Sequence, residues 1–257
     1  MKQKITANII TLNEEDNIAD VIRSVQAVCD EVLVVDSQSR DKTREIAESL
    51  GAKVVVQPYL GDGPQKAFGA PLAKNEWILS LDADERLDTN AVKAIAELDL
   101  ENSVYDAYSF RRKTFIGRHF IKLWYPDRLV RLYNRNRAGF TLEIGHAKVE
   151  AAKVKELDAD LLHYSYKDYG QMINNIEKFA ARGARMLHDK GKRAHWYDPF
   201  LHGGLTFFKK LVIKGGMFHG MPGWTVSIIS GFNTYMKYMI LIEMQENEAA
   251  QQKAERS

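Results

Sequence analysis

Four apolar runs recur through the first 82 residues, and the segments between them carry helical spacing. KITANIITL (4–12), EVLVVD (31–36), KVVVQ (53–57) and EWILSLD (76–82) read as strands. EVLVVD is a β-branched run without alternation, the pattern of a strand buried on both faces. After the first run, Ile18, Val21, Ile22, Val25, Val28 and Cys29 give one apolar face, in a helix expected to start at Asn13. SQSRDKTREIAESLG supplies a second helix that stops at Gly51, and GDGPQKAFGAPLAK (61–74) a glycine-rich entry with a short third one. A fourth starts at Asp88 or Thr89 and ends near Leu98. Strand and helix in alternation predict an α/β fold, with a mostly parallel central sheet and helices on both faces.

Such sheets bind ligands at the carboxyl ends of their strands. Three of the runs end in polar residues: Thr11 to Asn13, Asp36 and Ser37, and Asp82 to Asp84. All are expected along one rim. The D-x-D at 82–84 can present two carboxylates on the same side, and hard oxygen ligands suit Mg²⁺ or Mn²⁺ carrying a phosphorylated ligand. An isolated D-x-D can equally be a solvated turn with capping acids, and Asp88 reads as such a cap. No G-x-G-x-x-G follows the first strand, which disfavours an ordinary dinucleotide fold. The net charge of +2 is too small to imply nucleic acid.

IITLNEEDNI, VLVVDSQSRDKT, the GDGPQKAFGA segment and WILSLDADE together resemble the nucleotide-sugar-binding half of the inverting family 2 glycosyltransferases. The resemblance covers residues 4–98. With LWYPDRLVRLYN, LLHYSY (161–166) and the basic aromatic tail, it extends to the bacterial lipopolysaccharide-core β-1,4-glucosyltransferases. It implies a nucleotide-diphospho-sugar transferase (GT-A-like) fold. The activity implied is inverting transfer of a hexose, glucose from UDP-glucose, to an inner-core sugar. An acceptor on another polysaccharide or a polyprenyl lipid, or a silent nucleotide-sugar-binding protein, are the alternatives.

The resemblance also implies roles. Thr11, Asn13 and Glu14 would line the base and ribose pocket, and Asp36 would hold the uracil or ribose. Lys66 would reach the base or diphosphate, Asp82 the ribose or metal, and Asp84 the metal. A general base must also deprotonate the acceptor hydroxyl. The matching stretch reads TLEIGHAKVEA (141–151), with Ala147 where the subfamily implies a glutamate. Glu143 or His146 is the candidate base.

Beyond residue 100 the pattern changes. YDAYSFRRKTF (105–115) and RLVRLYN (128–134) alternate apolar and basic residues as strands, and Arg111, Arg112, Arg118, His119, Lys122, Arg128 and Arg131 could meet an anionic acceptor. From Pro199 to Ile242 there is no Asp or Glu, while Lys209, Lys210, Lys214 and Lys237 remain among many aromatics. Asn233 and Lys237 argue against a bilayer span, whereas cationic and aromatic content suits an anionic membrane surface. The expected organisation is a catalytic domain over 1–165 and a helical C-terminal region over 166–257, in contact with a lipid-linked saccharide acceptor. The single cysteine, Cys29, excludes an intrachain disulfide, and the N-terminus lacks the features of a secretory signal. A cytoplasmic protein, peripheral on the inner membrane, is expected.

Overall fold

A computed structural model describes residues 4–142 and 147–254. Strand and helix alternate through β1 (Ile5–Thr11), α1 (Ile18–Val25), β2 (Glu31–Asp36), α2 (Thr43–Ser49), β3 (Lys53–Val56), α3 (Asp62–Gly69) and β4 (Trp77–Asp82). Then come β5 (Glu85–Leu87), α4 (Thr89–Ala96), β6 (Ala107–Ile116), β7 (His119–Phe120), β8 (Asp127–Asn134), β9 (Gly139–Phe140), β10 (Val149–Glu150) and β11 (Val154–Tyr166).

The main sheet has the order β3-β2-β1-β4-β8-β6-β11-β5, with β7 on β6. Its leading block, β3 to β4, is parallel. Beyond β4 the pairs β4–β8, β6–β8 and β5–β11 are antiparallel. β9 and β10 form a separate antiparallel ribbon.

Side chains alternate across the sheet. Trp77, Leu79 and Leu81 of β4 enter the main core with Ile18, Val21 and Ile22 of α1, Ala47 of α2, and Ala91 and Ile95 of α4. Ile78 points the other way, into a smaller cluster with Tyr133 and Phe140 on which Ala67 of α3 packs. The fully buried β2 core, Leu33 to Val35, matches the unbroken apolar run of its sequence.

The contacts divide the chain into one unit of residues 1–114 and 125–165 and a second of 115–124 and 166–257. The second contains α5 (Tyr169–Asn174), α6 (Ile176–Asp189), α7 (Asp198–Phe208), a π-helical turn (Lys209–Ile213), a 3₁₀ turn (Gly216–Phe218) and the long α8 (Gly220–Ala254). Its core gathers Ile116, Ile121, Leu123, Met172, Ile176, Val226 and Ile229. α7 crosses α8 at a seam of glycines. A Cβ on Gly231 would stand 2.9 Å from the Phe207 Cβ and 3.1 Å from the Gly203 carbonyl oxygen, so only glycine permits this approach. Among the described residues, no helix is long and apolar enough to cross a membrane.

Candidate active site

The parallel register brings the polar strand ends to one rim. Thr11 lies beside Asp36, and Ile10 beside Asp82. The loops behind the rim are tied together. Asn13 has φ of 54°, a left-handed conformation that asparagine tolerates better than most residues. That conformation keeps it out of the helix, which therefore starts at Ile18 and not at Asn13 as the sequence suggested. The Asn13 amide donates to Ser39 Oγ at 2.8 Å, and its Oδ1 accepts the Arg40 amide at 2.8 Å. The Glu14 amide donates to Thr43 Oγ1 at 2.8 Å.

Asp36 is wholly buried. Its Oδ2 accepts the Ser39 amide at 2.9 Å and faces Arg44 Nε at 3.8 Å. Its Oδ1 is buried with no hydrogen-bond partner among the described residues, and the same holds for Thr11 Oγ1. A buried polar atom left unpaired costs about 1–3 kcal/mol, more when charged. Two such atoms stand on adjacent strand ends, where the parallel strands finish.

The acidic tip after β4 is offset by cations from three elements. Lys66 of α3, itself buried, sets its Nζ 2.8 Å from Asp82 Oδ1. Arg131 of β8 sets Nη2 3.1 Å from Asp82 Oδ2. Its Nη2 and Nε also lie 2.7 and 2.9 Å from the two oxygens of the fully buried Glu85. Arg112 of β6 approaches Glu85 at 3.5 Å while pairing with Asp127 at 2.6 Å. Burial pushes the Asp82 carboxyl up, but Lys66 and Arg131 outweigh it and hold the group well below the usual carboxylate range. Glu85 is lowered likewise: burial opposes, and Arg131 prevails. The Glu85 Oε2 also accepts the Asp82 amide at 3.2 Å, so this buried carboxylate fixes the backbone of the tip.

Asp84 points elsewhere. Its Oδ2 lies 3.2 Å from His163 Nε2 of β11, whose Nδ1 is 3.2 Å from Thr114 Oγ1. The antiparallel register setting His163 beside Glu85 brings the imidazole there, and the Tyr164 amide donates to the Asp84 carbonyl at 2.9 Å. A partly exposed carboxylate beside an imidazole nitrogen fits a divalent cation. Both Asp82 oxygens are already held by cationic side chains. Among the described residues, no group of three or more His, Cys, Asp or Glu side chains converges for a metal. Asp88 caps α4 by accepting the Ala91 amide at 2.7 Å.

Glu143 and His146 lie outside the described residues. The flanking chain is placed: the Thr141 amide donates to the Lys148 carbonyl at 2.9 Å, and Lys66 Nζ stands 5.4 Å from the centre of the Phe140 ring. Sequence reasoning did not single out His163, although LLHYSY was in view. Arg112 and Arg131, readable from the sequence equally as acceptor contacts or as a solvated edge strand, are engaged in the acidic cluster. Arg111 pairs with Asp158 and Asp160, and Arg128 with Glu156, inside the same unit. The signal that was available for Arg131 is electrostatic: a buried acidic tip requires buried cations. A cleft of about 270 Å³ lined by Cys29, Val32 and Lys53 lies at the starts of β2 and β3, the opposite ends from the rim that carries Thr11, Asp36 and Asp82.

Residues 6–155 match the family described as glycosyl transferase family 2. A glycosyltransferase of Rickettsia bellii, itself uncharacterized, is 33% identical over 258 residues, covering 95% of this chain and 88% of that one. The lipopolysaccharide core biosynthesis glycosyltransferase LpsC of Rhizobium meliloti is 26% identical over 237 residues, covering 87% and 86%. Among solved structures, S. aureus TarS 1–349 in complex with UDP aligns with a TM-score of 0.49 and 16% identity, covering 92% of this chain and 91% of that one.

Proposed function

Because this chain belongs to glycosyl transferase family 2 and carries a GT-A-like fold, we propose that it moves a hexose, glucose from UDP-glucose, onto a lipid-linked saccharide of the lipopolysaccharide inner core, with inversion. The observation that carries the donor reading is the pair of unpartnered buried oxygens, Asp36 Oδ1 and Thr11 Oγ1, on neighbouring strand ends. A uracil N3–H is a donor that a carboxylate can accept, and a ribose hydroxyl can pair with a threonine. Asn13 and Glu14, on the loop after β1, would line the same pocket.

The diphosphate end of the donor falls to the acidic tip. Asp84 and His163 would hold Mg²⁺ or Mn²⁺, with Asp82 beside them and donor phosphate oxygens completing the coordination. Such a cation supplies charge neutralisation of the leaving diphosphate. Lys66 and Arg131 keep Asp82 ionised and in place, so the rim arrives preorganised. Either Glu143 or His146 serves as base.

The acceptor reading draws on the likeness to LpsC and sets the protein at the cytoplasmic face of the inner membrane. The test is a screen of UDP-sugars with purified protein, Mn²⁺ and de-acylated core acceptors, read by mass spectrometry. A mass gain of one hexose from UDP-glucose is expected. UDP binding without transfer to any core acceptor would point to another acceptor or to a silent binding protein.

A further inference from the structure

The end of the second unit where α7 turns into α8 has a surface that its own packing leaves unexplained. Apolar side chains face solvent there at levels unusual for a folded chain: Phe218 is 80% exposed, Met221 75% and Ile213 71%. Phe208, Trp224 and Ile228 on the flanking helices are exposed too. All are drawn from one stretch of chain, the end of α7, the π-helical turn, the 3₁₀ turn and the start of α8. Exposed apolar side chains gathered so densely in one stretch of chain point to an interaction site.

Charge identifies the occupant. Lys209, Lys210 and Lys214 belong to the same stretch of chain, and no Asp or Glu occurs from Pro199 to Ile242. Burial, reinforced by the like charges of Lys214 and Lys209, lowers the pKa of Lys210, so three ammonium groups are crowded together here. A protein partner or a second copy of this chain would need a matching acidic face. A bilayer of anionic lipid offers both things at once, hydrocarbon for Phe218 and Ile213 and phosphates for the lysines. Aromatic and long cationic side chains are the types that settle at that boundary.

We propose that the α7–α8 tip, from Phe208 to Ile228, is a docking surface for anionic bilayers, inserting Ile213, Phe218 and Met221 among the acyl chains while Lys209, Lys210 and Lys214 bind lipid phosphates. The surface is independent of the transfer chemistry. Only its purpose, access to a lipid-linked acceptor, rests on the function proposed above.

The test is co-sedimentation of the full chain with vesicles of phosphatidylcholine alone or mixed with phosphatidylglycerol. Binding to the anionic vesicles only, weakened by salt, is expected. The triple variant Lys209→Ser, Lys210→Ser, Lys214→Ser should partition on the order of a hundredfold more weakly. The double variant Ile213→Asp, Phe218→Asp, changed only at exposed positions, should lose vesicle binding. Wild-type protein that ignores phosphatidylglycerol vesicles, or variants that bind as well as wild type, overturn the proposal. So does a concentration-dependent dimer, dissolved by the same variants, in protein that binds no vesicle. UDP binding, measured alongside, separates the two readings: its absence sinks the UDP-sugar donor proposed above and leaves the docking surface standing.

Discussion

Arg131 grips Glu85 with two nitrogens, Nη2 at 2.7 Å and Nε at 2.9 Å, and both side chains are buried. Removing the cation leaves a charged carboxylate stranded in the interior. Arg131→Met should therefore cost about 3–5 kcal/mol of stability in urea unfolding. The pair Arg131→Met, Glu85→Gln should recover part of that loss. A single variant within about 1 kcal/mol of wild type would show that the cluster is not what supports the tip.

The same cluster fixes a pH dependence. Asp82 and Glu85 both have folded pKa values lowered by their cationic neighbours. Their contribution is complete above the ordinary carboxylate range and is lost as pH falls through that range and below it. The urea midpoint should decline steadily on acidification below pH of about 5, and Asp82→Asn should flatten that decline. An equally steep decline in Asp82→Asn would assign the acid sensitivity to other groups.

Asp36→Asn separates stability from binding. The carboxylate has one buried oxygen without a partner, so neutralising it should leave stability unchanged or raise it. UDP affinity, by contrast, should fall about 10- to 100-fold, the worth of a hydrogen bond to a charged group. Calorimetry and thermal unfolding on the same protein read both effects. Undiminished UDP affinity would remove Asp36 from the donor pocket.

The metal proposal rests on Asp84 and His163, 3.2 Å apart. Asp84→Ala and His163→Ala should each abolish the gain in UDP affinity that Mn²⁺ confers, while affinity measured without metal stays as in wild type. Loss of the metal effect in Asp84→Ala but not in His163→Ala would leave the imidazole a structural partner only.

For the base, Glu143→Gln and His146→Gln distinguish two candidates that the sequence leaves level. The true base should lose about 10²- to 10⁴-fold in kcat, with little change in KM for the donor. Equal activity in both variants would place the base elsewhere.

Much of this was legible in the sequence because it depends on local pattern. The unbroken EVLVVD run and the helical spacing from Ile18 to Val25 specify the parallel block, and a parallel block brings Thr11, Asp36 and Asp82 to one rim. His163 and Arg131 were not legible as partners of the acidic tip, since they arrive from strands far along the chain through antiparallel registers that no local signal sets. Asn13 misled for a different reason. An asparagine followed by acids reads as a helix start, yet its side chain is engaged with the Arg40 amide and its backbone is left-handed.

The glycine crossing of α7 and α8 has a consequence for how the protein meets whatever it meets. Backbones that touch at Gly203 and Gly231 cannot slide past one another by a helical turn without collision. The exposed knuckle at their end is thus carried on two helices whose register is fixed, their crossing settled when the chain folded. Encounter then requires almost no rearrangement of the hairpin, and the loss of conformational freedom that weakens docking by a floppy segment has already occurred.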